Sequence, residues 1–359
     1  PRSVNRPARA NCRGAVTMWA QRAKRAILIA VAILAVSVVV LAWLWSNRPD
    51  LDKIAWPSPV TASAAATDSV TLTWLGVTTL LFDDGETQIL IDGFFSRPSL
   101  ADIVFRRPVN NDAPIINFAL DEYRMRRLAA IVPVHSHFDH AMDIGAIANR
   151  TNASILGSES TAWIARGGGV PEDQIIVATS GEDYVFGNFT VKMIDSRHAP
   201  IGWGGSVPFD GTIDAPLSTP APVSAWRVGQ SYSIVIAHPY GTTIVQGSAG
   251  YLEGALSGIK ADVVMLSVAM LEGLGRDYAE RYWQELVTTT GATHVFPVHF
   301  DDFTRPFGEI SLFPRALDNL IVTAAWLEKI RDTWDRNTRL HIPAFGKPVV
   351  LYPRASPEA

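Results

Sequence analysis

The feature that most constrains this chain is a six-residue run of metal-binding side chains, His135-Ser-His137-Phe-Asp139-His140. Three of the eight histidines in the chain fall within this run, together with a carboxylate. The apolar residues 130–134 precede it and predict a buried strand that ends at the polar run. Because residues two apart in an extended backbone face the same side, His135 and His137 can bind one cation. Imidazole and carboxylate are ligands that zinc prefers, so the run predicts a metal site.

Two more histidines follow apolar runs elsewhere in the chain and can complete such a site. His198 comes after the strand-like residues 189–194, and His299 comes after residues 293–298. Functional side chains collect where strands end and loops begin in layered α/β folds, so both histidines are candidate ligands. The other three have structural interpretations: His238 in a turn between two strands, although it could reach a substrate, His294 within a strand, and His341 near the C-terminus.

Taken together, these residues resemble the pattern of the metallo-β-lactamase-fold hydrolase superfamily, in particular its lactonase-like and phosphodiesterase-like branch. The resemblance covers about residues 70 to 350 and includes Asp92, the six-residue run and the segment Gly247-Ser-Ala-Gly250. It implies a fold of the α/β class, a four-layer αββα sandwich. The apolar run at residues 26–45 predicts an N-terminal transmembrane helix before it.

The resemblance also implies a ligand set. By the superfamily pattern, His135, His137 and His198 hold one metal, whereas Asp139, His140 and His299 hold the other. Asp92 would accept hydrogen bonds that fix the orientation of the ligands, although a turn residue at a strand end is an alternative interpretation.

One departure from the superfamily pattern lies after the predicted strand 242–246. Many members carry Gly-Asp-Thr-Gly there, and its Asp bridges the two metals, whereas this chain has Ser248 beside the ligands. A neutral hydroxyl is a poor ligand, so repulsion between two dications is less compensated and the second metal should bind more weakly. Asp301 and Asp302 are alternative sources of a carboxylate, unless they cap the next turn.

The predicted ligands favour hydrolysis. A divalent metal lowers the pKa of bound water toward about 7, so that metal-bound hydroxide can attack a carbonyl or phosphorus centre. The expected cofactor is one or two zinc ions, with manganese or iron as alternatives, and the expected catalytic residues are Asp139 and His140. The expected substrate is a small ester, lactone or phosphodiester. The alternative is a non-catalytic, envelope-tethered binding protein whose metal site has degenerated at Ser248.

The N-terminus predicts where such a domain resides. Residues 26–45 contain a single polar residue, and at about 1.5 Å rise per residue they span a hydrocarbon core of about 30 Å. Arg22, Lys24 and Arg25 precede them, which predicts a single-pass protein with its N-terminus inside and its catalytic domain on the periplasmic side of the inner membrane. A retained signal anchor is favoured over a cleaved signal peptide, because no small-residue cleavage pattern directly follows Trp45.

These signals divide the chain into a basic cytoplasmic N-terminus (1–25), a transmembrane anchor (26–45), a Pro/Ala-rich linker (46–68) and a metallo-hydrolase domain (69–359). The first fifty residues carry eight Lys/Arg and one Asp, which leaves 23 basic and 34 acidic residues in the remainder. An acidic domain without a basic stripe argues against nucleic acid as a partner. The expected partners are therefore a small-molecule substrate and, through the helix, the membrane.

Strand and helix patterns alternate along the domain and predict two sheets flanked by helices. Helices are predicted for residues 121–128, 142–149, 161–166, 277–289 and 316–333. The loop of residues 199–224 contains five Pro and four Gly and begins at a candidate ligand, which favours a wall or lid over the metals. Trp203 and Phe209 are its candidates for contact with an apolar substrate. A surface excursion without a substrate role is the alternative.

Overall fold

A computed structural model describes residues 12–57 and 69–353 of the protein. Parts of the predicted cytoplasmic segment (1–11), of the predicted linker (58–68) and of the C-terminus (354–359) lie outside the described residues. The strands are, in chain order, β1 (Ser69–Trp74), β2 (Leu80–Asp83), β3 (Gln88–Ile91), β4 (Pro108–Val109), β5 (Leu128–Val132), β6 (Ser154–Gly157), β7 (Ile175–Val177), β8 (Asp183–Phe186), β9 (Phe189–Ser196), β10 (Ala221–Pro222), β11 (Ser231–His238), β12 (Gly241–Gln246), β13 (Val263–Ser267), β14 (His294–Val298), β15 (Arg339–Leu340) and β16 (Val349–Pro353). The helices are α1 (Cys12–Ser46), α2 (Leu100–Val104), α3 (Ala113–Glu122), α4 (Phe138–Ala141), α5 (Ile144–Thr151), α6 (Glu159–Gly167), α7 (Leu271–Leu274), α8 (Arg276–Trp283) and α9 (Leu320–Trp334), and a π-helical turn, Gln284–Thr288, follows α8.

The strands form two seven-stranded mixed sheets and one small antiparallel pair, β4 with β10. The first sheet has the order β16-β1-β2-β3-β5-β6-β7, and the second has the order β15-β14-β13-β12-β11-β9-β8. In the first sheet β3 and β5 are parallel. In the second, β12, β13 and β14 are parallel, and β9 runs in the same direction because β11 is antiparallel to both β9 and β12. Their carboxyl ends therefore lie at one edge of each sheet, where the following loops can meet.

Alternate residues of the strands pack in opposite directions, as the two-residue period of a strand requires. Ile89 and Ile91 of β3 belong to the same apolar cluster as Met193 of β9, in the second sheet. Leu90, between them, belongs instead to a cluster that contains Ile147 of α5. Helices α8 and α9 contribute buried side chains to the first of these clusters and α5 contributes to the other, so helices cover the outer faces of both sheets. The predicted four-layer αββα sandwich is confirmed.

One predicted helix is wrong. Residues 121–128 do not form a helix of their own, because α3 ends at Glu122 and β5 begins at Leu128. The helix begins earlier, where the side chain of Asp112 accepts a hydrogen bond from the backbone N–H of Ile115 at 3.1 Å. An aspartate in this position satisfies a backbone donor of the first turn and fixes where a helix starts.

The chain divides into a unit that contains α1 and a larger unit, residues 49–313 and 317–359, that contains both sheets. Within α1, Met18–Ser46 contains an 18-residue window with a mean hydropathy of 3.1 and is long and apolar enough to cross a membrane, a test that signal sequences also pass. In the larger unit, Trp56 is buried and its Nε1 donates a hydrogen bond to Glu328 Oε1 at 2.9 Å. Part of the predicted linker thus packs on the domain, and the predicted region boundaries stay predictions.

Candidate metal centre

The six-residue run lies in the loop that follows β5 and in the helix α4 that begins directly after it. His137 is the residue before α4, with extended backbone angles, so the chain turns into the helix at this point. His135 Nε2 and His137 Nδ1 lie 3.0 Å apart, which agrees with the prediction that both side chains face one cation. Asp139 and His140 belong to the first turn of α4 and point to a neighbouring position.

His198 joins the first pair from the second sheet. It follows β9, and its ring centre lies 4.9 Å from that of His135 and 4.9 Å from that of His137. Its Nδ1 lies 2.8 Å from the carbonyl oxygen of Ala199, to which a protonated Nδ1 can donate, leaving Nε2 free to bind a cation. One ligand atom from each of His135, His137 and His198 lies within 4.8 Å of the others.

A second set of three ligands lies beside the first. His299 follows β14, and its Nε2 lies 3.3 Å from Asp139 Oδ2, which in turn lies 3.6 Å from His140 Nε2. The ligand atoms of Asp139, His140 and His299 are also within 4.8 Å of one another. The ring centres of His135 and His140 are 4.1 Å apart, so the two sets adjoin. Residues from distant parts of the sequence therefore meet in the two groups that the resemblance implied.

Asp92, directly after β3, connects this cluster to the first sheet. Its side chain is fully buried, and Oδ2 lies 2.7 Å from His140 Nδ1 while Oδ1 accepts the backbone N–H of Val134 at 2.9 Å. The contact with Nδ1 directs His140 Nε2 toward Asp139. A carboxylate in this position fixes the tautomer and the orientation of a metal-binding imidazole.

Burial holds most of the imidazoles in the neutral form. It lowers the pKa of His137 to about 3 and that of His198 to about 4. It also lowers the pKa of His135 well below its usual value, and repulsion from neighbouring histidines adds to this effect. For His140 burial acts in the same direction, but the carboxylates of Asp92 and Asp139 outweigh it and raise the pKa. Neutral imidazole is the form that binds metals, so three of the histidines are ready to bind and His140 would release a proton.

The donor set fits a divalent metal. Nearly all of these side chains are buried, and buried polar groups normally have hydrogen-bond partners. Two nitrogens at 3.0 Å, those of His135 and His137, share at most one proton between them. Five imidazoles with a carboxylate match zinc, and they also accommodate manganese or iron.

Ser248 lies at the carboxyl end of β12, in the place where the sequence departs from the superfamily pattern. Its hydroxyl oxygen accepts hydrogen bonds from the backbone N–H groups of Ala199 and Gly250, both at 3.3 Å. The serine therefore holds the loop that carries His198. It adds no charge between the two ligand sets.

Asp301 and Asp302 do not replace the missing carboxylate. Asp301 Oδ1 accepts the backbone N–H of Val77 at 2.7 Å, and its Oδ2 pairs with the buried guanidinium of Arg97 at 3.3 Å. Asp302 Oδ1 accepts hydrogen bonds from the backbone and the hydroxyl of Thr304. The first aspartate thus connects the β1–β2 turn to the segment after β14, and the second caps a turn.

A chamber of about 350 Å³ opens over both ligand sets. The ligands that line it are His137, Asp139, His198 and His299. Phe209 also lines it, as the sequence predicted, whereas Trp203 is 98% exposed and does not. Sequence reasoning missed the other phenylalanines of the wall, Phe138, Phe303 and Phe313. Phe138 stands between two candidate ligands in the chain, His137 and Asp139, and that position is the signal that could have found it.

The three remaining histidines lie outside the cluster. His238 is the last residue of β11, whereas the first residue, Ser231, pairs with Ser196 just before the His198 loop. His238 therefore lies at the end of β11 that is far from the cluster, and its Nε2 lies 3.5 Å from Asp84 Oδ2. His294 and His341 face each other, with Nδ1 and Nε2 2.9 Å apart. Their structural interpretation agrees with these contacts.

The chain is similar to metal-dependent hydrolases. It is 30% identical over 132 residues to a "UPF0173 metal-dependent hydrolase" of Roseiflexus sp. (strain RS-1), a match that covers 36% of this chain and 48% of the relative. It is 28% identical over 153 residues to the protein of the same name in Roseiflexus castenholzii, covering 42% and 54%. The chain thus spans about half the length of the curated relatives it matches. No protein-family model matches the chain. The predicted resemblance to metal-dependent hydrolases is confirmed.

Solved structures with a similar arrangement include the isothiocyanate hydrolase from Delia radicum gut bacteria, at 17% identity and a TM-score of 0.47, covering 79% of this chain and 99% of that one. Another is the metallo-β-lactamase fold protein YhfI from Bacillus subtilis, at 14% identity and a TM-score of 0.45, covering 78% and 98%.

Proposed function

We propose that this protein is a metal-dependent hydrolase that acts on a small ester, lactone or phosphodiester. The observation that carries the proposal is the convergence of five histidines and Asp139 into two adjoining sets of three, with the ligand atoms of each set within 4.8 Å. These residues follow strands of both sheets, so their meeting is a property of the whole fold. The similarity to metal-dependent hydrolases over part of the chain supports the same activity.

In this proposal His135, His137 and His198 hold one cation, and Asp139, His140 and His299 hold a second. A bound divalent cation would acidify water and polarise the oxygen that gains charge during hydrolysis. Asp92 keeps His140 Nε2 directed at its site through the contact with Nδ1. Asp139 is held ionised, because His140 and His299 outweigh the effect of its burial on its pKa. It borders the chamber, where it can accept a proton or a hydrogen bond.

The number of cations depends on Ser248. Without a carboxylate between the two sets, two dications repel each other more strongly, and the second should bind more weakly than the first. Zinc suits the nitrogen-rich donors best, and manganese or iron are the alternatives. If a single cation binds, Asp139 and His140 are the groups that handle protons.

Metal analysis combined with a substrate panel tests the proposal. The full chain, purified with each metal in turn, should retain one or two equivalents and hydrolyse at least one ester, lactone or phosphodiester. His198→Ala and His299→Ala should each lower the metal content and the rate, whereas His294→Gln, outside the cluster, should change neither. Protein that holds no metal after purification in metal-replete buffer would contradict the proposal.

A second function is a binding protein that keeps the fold and one metal but lacks hydrolysis. Ser248 favours this alternative, since it removes the charge that supports a second cation. Ser248→Asp separates the two functions. A large gain in activity together with a second metal supports a degenerate site, and a small change supports a working one.

We further propose that α1 anchors the protein in the inner membrane, with the domain on the periplasmic side. The apolar segment Met18–Ser46 and the basic residues Arg22, Lys24 and Arg25 near its start support this orientation. Sodium carbonate extraction should leave the full chain in the membrane pellet. Protease added to spheroplasts should degrade the domain. Release by carbonate, or protection from protease, would count against the anchor or its orientation.

A further inference from the structure

The wall of the chamber over the ligands carries no charge. Apart from the ligands and Ser248, its lining consists of apolar side chains, among them Phe138, Phe209, Phe303 and Phe313. Asp139 is the one acidic side chain in the lining, and no Lys or Arg lines the chamber within the described residues. A charged group placed against this wall would lose its hydration without gaining a partner.

The phenyl rings form a continuous surface that begins at the ligands. The ring centres of Phe209 and His137 are 6.1 Å apart, and those of Phe303 and His299 are also 6.1 Å apart. Phe138 lies between the two phenylalanines, 6.5 Å from Phe209 and 5.9 Å from Phe303. A group bound at the cations would therefore contact phenyl rings on both sides.

The loop after β9 keeps charged side chains out of the chamber. Ala199 and Phe209 line the chamber, Arg197 and Asp210 line a more polar cleft of about 690 Å³, and His198 lines both. Phe209 has a φ of 45°, a backbone conformation that is costly for a bulky side chain. Its backbone carbonyl accepts the N–H of Val228 at 3.0 Å, which holds this conformation. The backbone is thus fixed so that a phenyl ring, rather than the adjacent carboxylate, faces the ligands.

We propose that the chamber selects substrates whose group next to the scissile bond is an uncharged, apolar acyl or aryl group, with Phe209 and Phe303 as the residues that determine this specificity. The inference rests on the proposed hydrolase function and narrows its substrate class. A volume of about 350 Å³ lies at the lower end of the range for small-molecule sites, about 300–1,000 Å³. It suits a medium-length acyl chain or a single aromatic ring.

Matched ester substrates test the inference. The full-length, metal-loaded protein in a nonionic detergent is assayed with p-nitrophenyl esters from acetate to octanoate, and with a hexanoate analogue that ends in a carboxylate. Each added methylene should raise kcat/KM by about threefold to fourfold until the chamber is full. The terminal carboxylate should lower kcat/KM on the order of 100-fold, because its charge would be buried without a partner. Equal rates for hexanoate and its carboxylate analogue would overturn the inference.

Variants of the wall assign the specificity to named residues. Phe303→Ala should raise KM for the octanoate about tenfold more than it raises KM for the acetate, because the longer chain loses more contact with the ring. Phe303→Arg should reverse the preference and favour the carboxylate analogue. The control is Phe118→Ala, which removes a phenyl group that is 54% exposed on α3 and should keep the parent preference. Identical chain-length profiles for Phe303→Ala and Phe118→Ala would exclude Phe303 as a specificity residue and overturn the inference.

Binding of n-alkanols, from 1-propanol to 1-octanol, separates this inference from the proposed hydrolysis. Calorimetry in the same detergent should show affinity that rises with chain length in the parent protein and is nearly flat in Phe303→Ala. If no ester, lactone or phosphodiester is hydrolysed but this difference is present, the hydrolase proposal fails and the apolar recognition stands. If hydrolysis occurs without any dependence on chain length, the recognition fails and the hydrolase stands.

Discussion

Asp92 illustrates at the residue scale how a buried group acts on the site through a ligand. It is fully buried and contacts His140 Nδ1 at 2.7 Å. We predict that Asp92→Asn weakens metal binding by about 10-fold to 100-fold, because an amide stabilises the ligand's orientation and basicity less well than a carboxylate does. Competition with a chromogenic chelator measures this affinity.

The matched control for Asp92 is Asp84→Asn. Asp84 is also buried and lies 3.5 Å from a histidine, His238, at the far end of β11. This variant should change stability without changing metal affinity. Equal losses of metal affinity in both variants would mean that Asp92 acts only through the stability of the fold.

Two substitutions of Ser248 separate its effect on stability from its effect on metal binding. Its hydroxyl accepts hydrogen bonds from Ala199 and Gly250, so Ser248→Ala should cost about 1 kcal/mol of stability. We predict that Ser248→Asp instead raises the affinity for a second cation by at least about tenfold, because a carboxylate reduces repulsion between two dications. Calorimetry measures both quantities, the stability by thermal unfolding and the affinity for the second cation by metal titration. A second-site affinity that is the same in Ser248→Ala and Ser248→Asp would contradict the prediction.

The candidate ligands could be selected from the sequence because imidazoles at strand ends carry their own chemical signal. Once the six-residue run had indicated a metal site, His198 and His299 followed as candidates to complete it. The apolar wall carried no such signal, since Phe303 and Phe313 look like ordinary core residues until the chamber is seen. Asp301 could be taken from the sequence as an alternative source of a carboxylate for the metals, because the sequence does not indicate that Asp301 forms an ion pair with Arg97.

At the scale of elements, the loop after β9 is held in place by a glycine in the loop after β12. A Cβ added at Gly250 would lie 2.1 Å from Arg197 O and 2.5 Å from Ala199 N. These are backbone atoms, so the loop that carries His198 would have to move. We predict that Gly250→Ala costs about 1–3 kcal/mol of stability and lowers metal affinity, as overpacking next to a ligand should.

Gly273→Ala is the matched control for Gly250→Ala. No atom lies within 4 Å of a Cβ at Gly273, which belongs to the helix α7, so the extra methyl group meets nothing. Thermal unfolding and metal titration of both variants give the comparison. Retention of full metal affinity in Gly250→Ala would show that the loop adjusts without moving His198.

A buried ion pair joins two elements on the other side of the site. Arg97 and Asp301 side chains are 5% and 2% exposed, and Asp301 also accepts the N–H of Val77 in the β1–β2 turn. We predict that Asp301→Asn costs about 3–5 kcal/mol, because Arg97 is left buried without its counter-charge. Metal content should not change, since Asp301 is not a ligand. Asp121→Asn, which removes an exposed partner of Arg126, is the control and should leave chemical denaturation unchanged.

Most elements could be predicted because apolar residues recur with the period of a strand or a helix. The predicted strand 242–246 lies in β12, and the turn predicted between two strands at His238 is the turn of the β11–β12 pair. The failure at residues 121–128 has a physical cause. This segment, with three arginines in eight residues, has a helical composition, but the cap at Asp112 starts α3 early. The left-handed backbone of Arg124 then prevents the helix from continuing.

At the scale of the whole molecule, the candidate centre joins the two sheets. Asp92 and His135 follow strands of the first sheet, and His198 and His299 follow strands of the second. The sequence pattern predicts the αββα layers but not how closely these edges approach, which depends on the packing of the apolar cluster between the sheets. A cation bound by both sheets would therefore act on the stability of the entire domain.

Metal removal should accordingly destabilise the whole protein. A cation that binds the folded state alone stabilises it by about 4 kcal/mol when its free concentration is 1,000 times the dissociation constant. We predict that a chelator lowers the midpoint of thermal unfolding of the full chain, measured by tryptophan fluorescence in detergent. The His198→Ala/His299→Ala double variant should lose this response, because it lacks both ligands from the second sheet. An equal shift in the double variant would place the stabilising cation somewhere other than this cluster.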